Sequence, residues 1–120
     1  MRKLVVLVAL GALVAGPAAL AKERNMTMFG APLAPKAGQG WNVTINVKVD
    51  GKLVPSIGKA PVVRIINGVR TVNVQSMPTV KAGVYKARVV FPKAGTWRVL
   101  VVDRETGRAY EFRRMRVQAI

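Results

Sequence analysis

Along Gly83–Gly107, GVYKARVVFPKAGTWRVLVVDRETG, apolar and polar positions alternate in two blocks separated by a turn. Tyr85, Ala87, Val89 and Phe91 hold one phase against Lys86, Arg88 and Val90. Pro92-Lys93-Ala94-Gly95 interrupts, and Trp97, Val99 and Val101 resume the alternation as far as Asp103. A period of two bounded by Pro and Gly marks half-buried antiparallel strands. Trp41–Asp50 repeats the pattern. Trp41, Val43, Ile45, Val47 and Val49 face one way and Asn42, Thr44, Asn46 and Lys48 the other, so one face packs on a core and the other meets water.

The same reading predicts strands over Asn25–Phe29, Pro61–Ile66, Val69–Gln75, Val84–Phe91, Thr96–Val102 and Arg108–Val117. Asp50-Gly51 and Asn67-Gly68 are turn dipeptides, Asp103–Gly107 is a hairpin loop, and Leu53–Lys59 and Ser76–Lys81 are loops. Tyr110 and Phe112 are out of phase with Met115 and Val117, which a bulge near Arg113-Arg114 reconciles. Seven short strands with turns at this spacing, and no helical stripe among them, predict an all-β immunoglobulin-like antiparallel β-sandwich. Its core carries Trp41, Val43, Ile45, Val47, Tyr85, Val89, Phe91, Trp97, Val99, Val101, Tyr110 and Phe112. Pro-Lys-Ala-Gly precedes both tryptophans, at 35–38 and 92–95, so the expectation is twin corner turns with each tryptophan plugging an end of the core.

The N-terminal pattern differs. Met1-Arg2-Lys3 is basic, Leu4–Leu20 is almost wholly apolar, and Ala19-Leu20-Ala21 is a small-x-small cleavage site ahead of Lys22-Glu23-Arg24. That order is a secretory signal. It divides the chain into a signal peptide over 1–21 and one β-sandwich domain over 22–120, exported to the periplasm, cell surface or medium. Membrane contact is confined to the signal segment if it stays uncleaved. No cysteine is present, so lipoprotein attachment and disulfides are excluded.

Charge and missing residue types narrow the function. The chain has 20 Lys and Arg against 5 Asp and Glu, a net +15, or +13 once Arg2 and Lys3 leave with the signal. Such an excess attracts polyanions. Without histidine or cysteine there is no Ser-His or Cys-His nucleophile, no Cys/His zinc site and no CxxC pair. Asp103 and Glu105 are close enough in sequence for paired-acid chemistry, but in a DRETG loop beside Arg104 and Arg108 they read as a solvated turn, as does Asp50. The expectation is a non-enzymatic module with no cofactor. The seven aromatics read as core or corner residues, which leaves no stacking platform for specific nucleic-acid binding.

Two candidate sites remain. Arg64, Arg98 and Arg113 project from the outer face of the third, sixth and last strands, with Leu100 and Val102 in the same phase on the sixth. A basic, partly apolar face is a docking surface for a protein partner or an anionic envelope polymer, unless a loop or the N-terminal segment covers the apolar pair. Met26 and Met28 place two thioethers on one strand face, a donor set suited to Cu(I) or to packing on the sheet.

The run Gly83, Tyr85, Ala87, Pro92, Ala94, Gly95, Trp97 and Val99 resembles the G-x-Y-x-A…P-x-A-G-x-W-x-V pattern of YtkA-like and FixH-like bacterial envelope domains, and Ala37-Gly38 through Lys52 is also similar to them. The resemblance implies an immunoglobulin-like sandwich in an exported or membrane-anchored protein. FixH-like relatives are associated with copper-oxidase assembly, so it also implies the alternative of a copper-handling accessory protein. The absence of histidine departs from that pattern.

Overall fold

The computed structural model describes residues 24–55 and 59–120. The signal segment and the expected start at Lys22 lie outside the described residues. Among the described residues nine strands follow in order: β1 Arg24–Phe29, β2 Gly40–Val49, β3 Lys52–Leu53, β4 Val62–Asn67, β5 Arg70–Gln75, β6 Met77–Pro78, β7 Val84–Val90, β8 Gly95–Val102 and β9 Ala109–Val117. All the strand pairings are antiparallel. One sheet runs β1-β2-β7-β6, with β3 hairpinned onto β2; the other runs β9-β8-β4-β5. In immunoglobulin letters these are A-B-E-D and G-F-C-C′, the two-sheet order of that sandwich. The two strands beyond the predicted seven are β3 and β6. Each is two residues long and falls in a segment the sequence reads as loop.

Two of the places where the chain passes between sheets are anchored by specific contacts. After β1 it turns at Gly30, whose φ of +96° suits glycine. A Cβ there would stand 2.8 Å from the Asn42 carbonyl oxygen, so a side chain is excluded on both counts. The chain then crosses to the far sheet. There Gln118 N–H donates to the Pro35 carbonyl and Ala37 N–H to the Gln118 carbonyl, both at 2.9 Å, in a parallel bridge that covers the end of the β9 edge. The second crossing is Ser76, between β5 and β6. Its buried hydroxyl donates to the Pro61 carbonyl, which anchors the switch point.

Two turns refine the predicted pattern. Asn67 is not a central turn residue: it pairs with Arg70, and Gly68-Val69 close the β4–β5 hairpin. Gly68 has φ +56° while Val69 is not at positive φ, as a turn with glycine at its first central position requires. The bulge in β9 lies between Glu111 and Arg113, slightly ahead of its predicted place. Phe112 is the extra residue. Tyr110 therefore stays opposite inward-facing Val101, while Met115 falls opposite inward-facing Trp97.

The core lies between the sheets and contains the predicted face, with Trp41, Tyr110 and Phe112 packed at its margin. Met26, Met28, Val63, Ile65, Ala87, Met115 and Val117 complete it. The two tryptophans plug the same end. Trp41 opens β2, Trp97 opens β8 and Phe91 follows β7, and all three meet at one end, each tryptophan ring centred 5.7 Å from the Phe91 ring. Trp97 is fully buried, and its Nε1–H donates to the Lys93 carbonyl at 3.0 Å. This pins the Pro92–Gly95 corner to the strand it feeds. Phe29, at the end of β1, is half exposed and so is neither core nor corner.

Candidate functional site

The outer face of the β9-β8-β4-β5 sheet is fixed by register. Asn73, Arg64, Leu100 and Glu111 form one row across it. Thr71, Ile66, Arg98 and Arg114 form the next. Arg64 and Arg98 thus stand where the sequence places them. Arg64 Nε donates to Asn73 Oδ1 at 2.8 Å, and Arg98 Nη2 donates to Glu111 Oε1 at 2.9 Å. The Arg98 hydrogen bond holds the Glu111 carboxyl below its usual range, and Arg114 adds to that pull. Glu111 in turn raises the Arg98 guanidinium.

Two of the predicted docking residues are placed differently. Leu100 is only 7 % exposed, so it offers no apolar anchor to a partner. Its cross-strand neighbours are Arg64 and Glu111, and the Arg98–Glu111 pair runs beside it, so long side chains flank the leucine. Val102 is half-buried. Arg113 falls at the bulge, opposite inward-facing Val99, and leaves the outer-face row; its guanidinium lies over the Phe112 ring, 5.2 Å from the centroid. The arginine beside Arg98 is Arg114, with Arg116 next on the same face. Sequence reasoning missed both: the bulge at Phe112 brings Arg114 rather than Arg113 to the outer face, while Arg116, between inward-facing Met115 and Val117, faces out in either placement of the bulge. Arg113, Arg114 and Arg116 line a groove of about 290 Å³ with Leu33, Pro35 and Gln118.

At the end opposite the aromatic cluster the acids are engaged internally. Asp103, read from sequence as a solvated turn residue, is fully buried. Arg24 Nε donates to Asp103 Oδ2, and Arg24 Nη2 donates to Asp103 Oδ1 at 3.3 Å and reaches Glu105 Oε2 at 3.5 Å. Glu105 N–H donates to Asp103 Oδ1 at 2.9 Å. Burial pushes the Asp103 carboxyl up, but Arg24, the Glu105 amide and the Thr106 hydroxyl together hold it below its usual range. Asp103 hydrogen bonding raises the Arg24 guanidinium in return. Tyr110 Oη donates to the Arg24 carbonyl at 3.1 Å, and the Arg108 guanidinium lies 4.9 Å from the Tyr110 ring centroid. Arg24, Asn25, Lys48, Arg108 and Tyr110 border a cleft of about 440 Å³ here. An Asp103–Glu105 pair locked to an arginine is a structural clasp.

Met26 and Met28 share one face of β1, as the i, i+2 spacing requires, but that face is the core, where they are 5 % and 4 % exposed. A Cu(I) ion would have to enter the sandwich to reach them, and their surroundings are those of packing residues. Among the described residues no three Asp or Glu side chains converge on one point. No family model and no curated protein matches the chain.

Proposed function

We propose that this domain is an exported, non-enzymatic envelope module that binds an anionic surface polymer. The observation that carries the reading is the disposal of its few carboxylates. Asp103 and Glu105 are drawn onto Arg24, and Glu111 is paired to Arg98. The charge excess of +13 is therefore carried by arginines and lysines spread over the surface, with little acid left to offset them. A surface of that kind concentrates a polyanion over several residues at once.

A protein partner is the weaker alternative, because an interface is held by buried apolar or aromatic anchors and Leu100 is already closed over. The signal pattern and the resemblance to envelope domains agree with an exported location. The test is direct titration of the domain, from Lys22 onward, with inorganic polyphosphate, heparin and neutral dextran at low salt. The reading expects binding to both anionic polymers and none to dextran. Equal affinity for dextran, or no binding to either polyanion, contradicts it.

A further inference from the structure

The polyanion has one principal seat, which we infer to be the β9 edge, where Arg98, Arg114 and Arg116 form a ladder for the phosphoryl groups of a polymer. This rests on the polyanion reading above and says where, and with what chemistry, that binding occurs.

Three features set this edge apart from a merely positive surface. The first is spacing. Arg114 and Arg116 stand two residues apart on one face of a strand, about 6.7 Å. Arg98 is directly cross-strand from Arg114, with side chains rooted about 5 Å apart. Directly opposed like charges destabilise a sheet. The one carboxylate on this face among the described residues, Glu111, already serves Arg98. Glu111 also feels Arg114, but one carboxylate offsets only one of the two charges, and an anion lying between Arg98 and Arg114 offsets the other.

The second feature is the bulge. It turns Arg114 and Arg116 onto the outer face while Arg113 is held at the strand edge over Phe112. A guanidinium stacked on a ring loses less freedom when it binds an anion. The third is the groove of about 290 Å³ beside these residues, with Leu33 and Pro35 on its far wall and no acid in its lining. A chain can lie along it.

The ligand chemistry follows from the donors. The three cations of the ladder and Arg113 beside them are all arginines, whose planar forks make paired hydrogen bonds to oxyanions. A planar carboxylate presents its lone pairs in a single plane. A tetrahedral phosphoryl group directs oxygens to two sides and can bridge neighbouring guanidiniums. The site therefore favours a phosphate-bearing polymer over a polycarboxylate.

The experiment compares two charge-matched variants for binding long-chain inorganic polyphosphate. Arg114→Glu with Arg116→Glu alters the proposed site. Lys86→Glu with Arg88→Glu makes the same charge change at the same i, i+2 spacing on exposed positions of β7, in the other sheet. The β9 variant is expected to lose about tenfold more affinity than the β7 variant, and to lower the salt dependence by about two counterions. Equal losses overturn the localised site and leave general polyanion binding intact. Absence of binding by the unaltered domain overturns both. Arg114→Lys with Arg116→Lys keeps charge and fold but removes the forks, and is expected to weaken polyphosphate several-fold; no change overturns the guanidinium role. Polyglutamate is expected to bind more weakly than polyphosphate of equal charge; equal affinity overturns the phosphoryl preference.

Discussion

Arg24, the first residue of β1, closes on Asp103, the residue after β8, and so ties the edge of one sheet to the end of the other across 79 positions of sequence. The carboxylate is fully buried while the guanidinium keeps a partly exposed flank. Removing the arginine leaves a buried charge without its main partner, which costs far more than the pair contributes relative to an apolar replacement. Arg24→Met is expected to lower unfolding free energy by about 3 kcal/mol. Arg24→Met with Asp103→Leu should recover much of that loss. Urea denaturation of the two variants checks it.

The clasp has a pH signature. Asp103 has a folded pKa below its unfolded value of 3.8, so the folded state holds fewer protons on this group than the unfolded chain near that pH. Its stabilisation is complete above the unfolded pKa and is lost as pH falls from about 5 down through the folded value. Asp103→Asn should flatten the fall of stability below pH 5. A parent and variant with parallel acid limbs would remove the clasp from the acid transition.

Trp97 should be the costliest single truncation in the core. It is fully buried, contacts Phe91 and pins the 92–95 corner through Lys93. Trp97→Ala is expected to cost about 3–5 kcal/mol. Trp97→Phe keeps a ring but orphans the hydrogen bond, and should cost less. A denaturation midpoint unchanged by Trp97→Ala contradicts the packing described.

Met26→Leu with Met28→Leu exchanges core side chains of similar volume and should shift stability by less than about 1.5 kcal/mol. A competition titration with Cu(I) should show the parent and this variant alike. A Cu(I) affinity present in the parent and lost in the variant would revive the copper reading.

Most strands were legible because each carries its own alternation, and the phase conflict between Tyr110 and Met115 announced the bulge. β3 and β6 were not, since two residues contain no period. The shared aromatic end was hidden because Trp41 and Trp97 open strands in different sheets, and only the topology brings those strand starts together. Asp103 had no local mark of burial, as its partner is 79 positions away. Leu100 did have one: Val99–Val102 is an unbroken apolar run, the pattern of a strand covered on both faces. Arg114 escaped because a bulge placed near Arg113-Arg114, instead of just after Glu111, puts Arg113 on the outer face in its stead; Arg116 was legible, since it alternates with inward-facing Met115 and Val117.

The signal reading and the clasp meet at the N-terminus. If the segment over 1–21 acts as a cleaved signal, N-terminal sequencing of the mature protein is expected to begin at or near Lys22, which keeps Arg24. A form beginning at Asn25 lacks the guanidinium and should lose stability as Arg24→Met does. Exported protein still bearing Met1 contradicts the cleavage.

Polyphosphate affinity measured across a series of salt concentrations separates an anionic-polymer module from a domain that binds by other means. Binding through many arginines and lysines predicts a linear fall of log affinity with log salt, steep enough to abolish binding by 0.5 M, where the Debye length is roughly 4 Å. Affinity that is flat across the series, or absent even at the lowest salt, contradicts an anionic-polymer module.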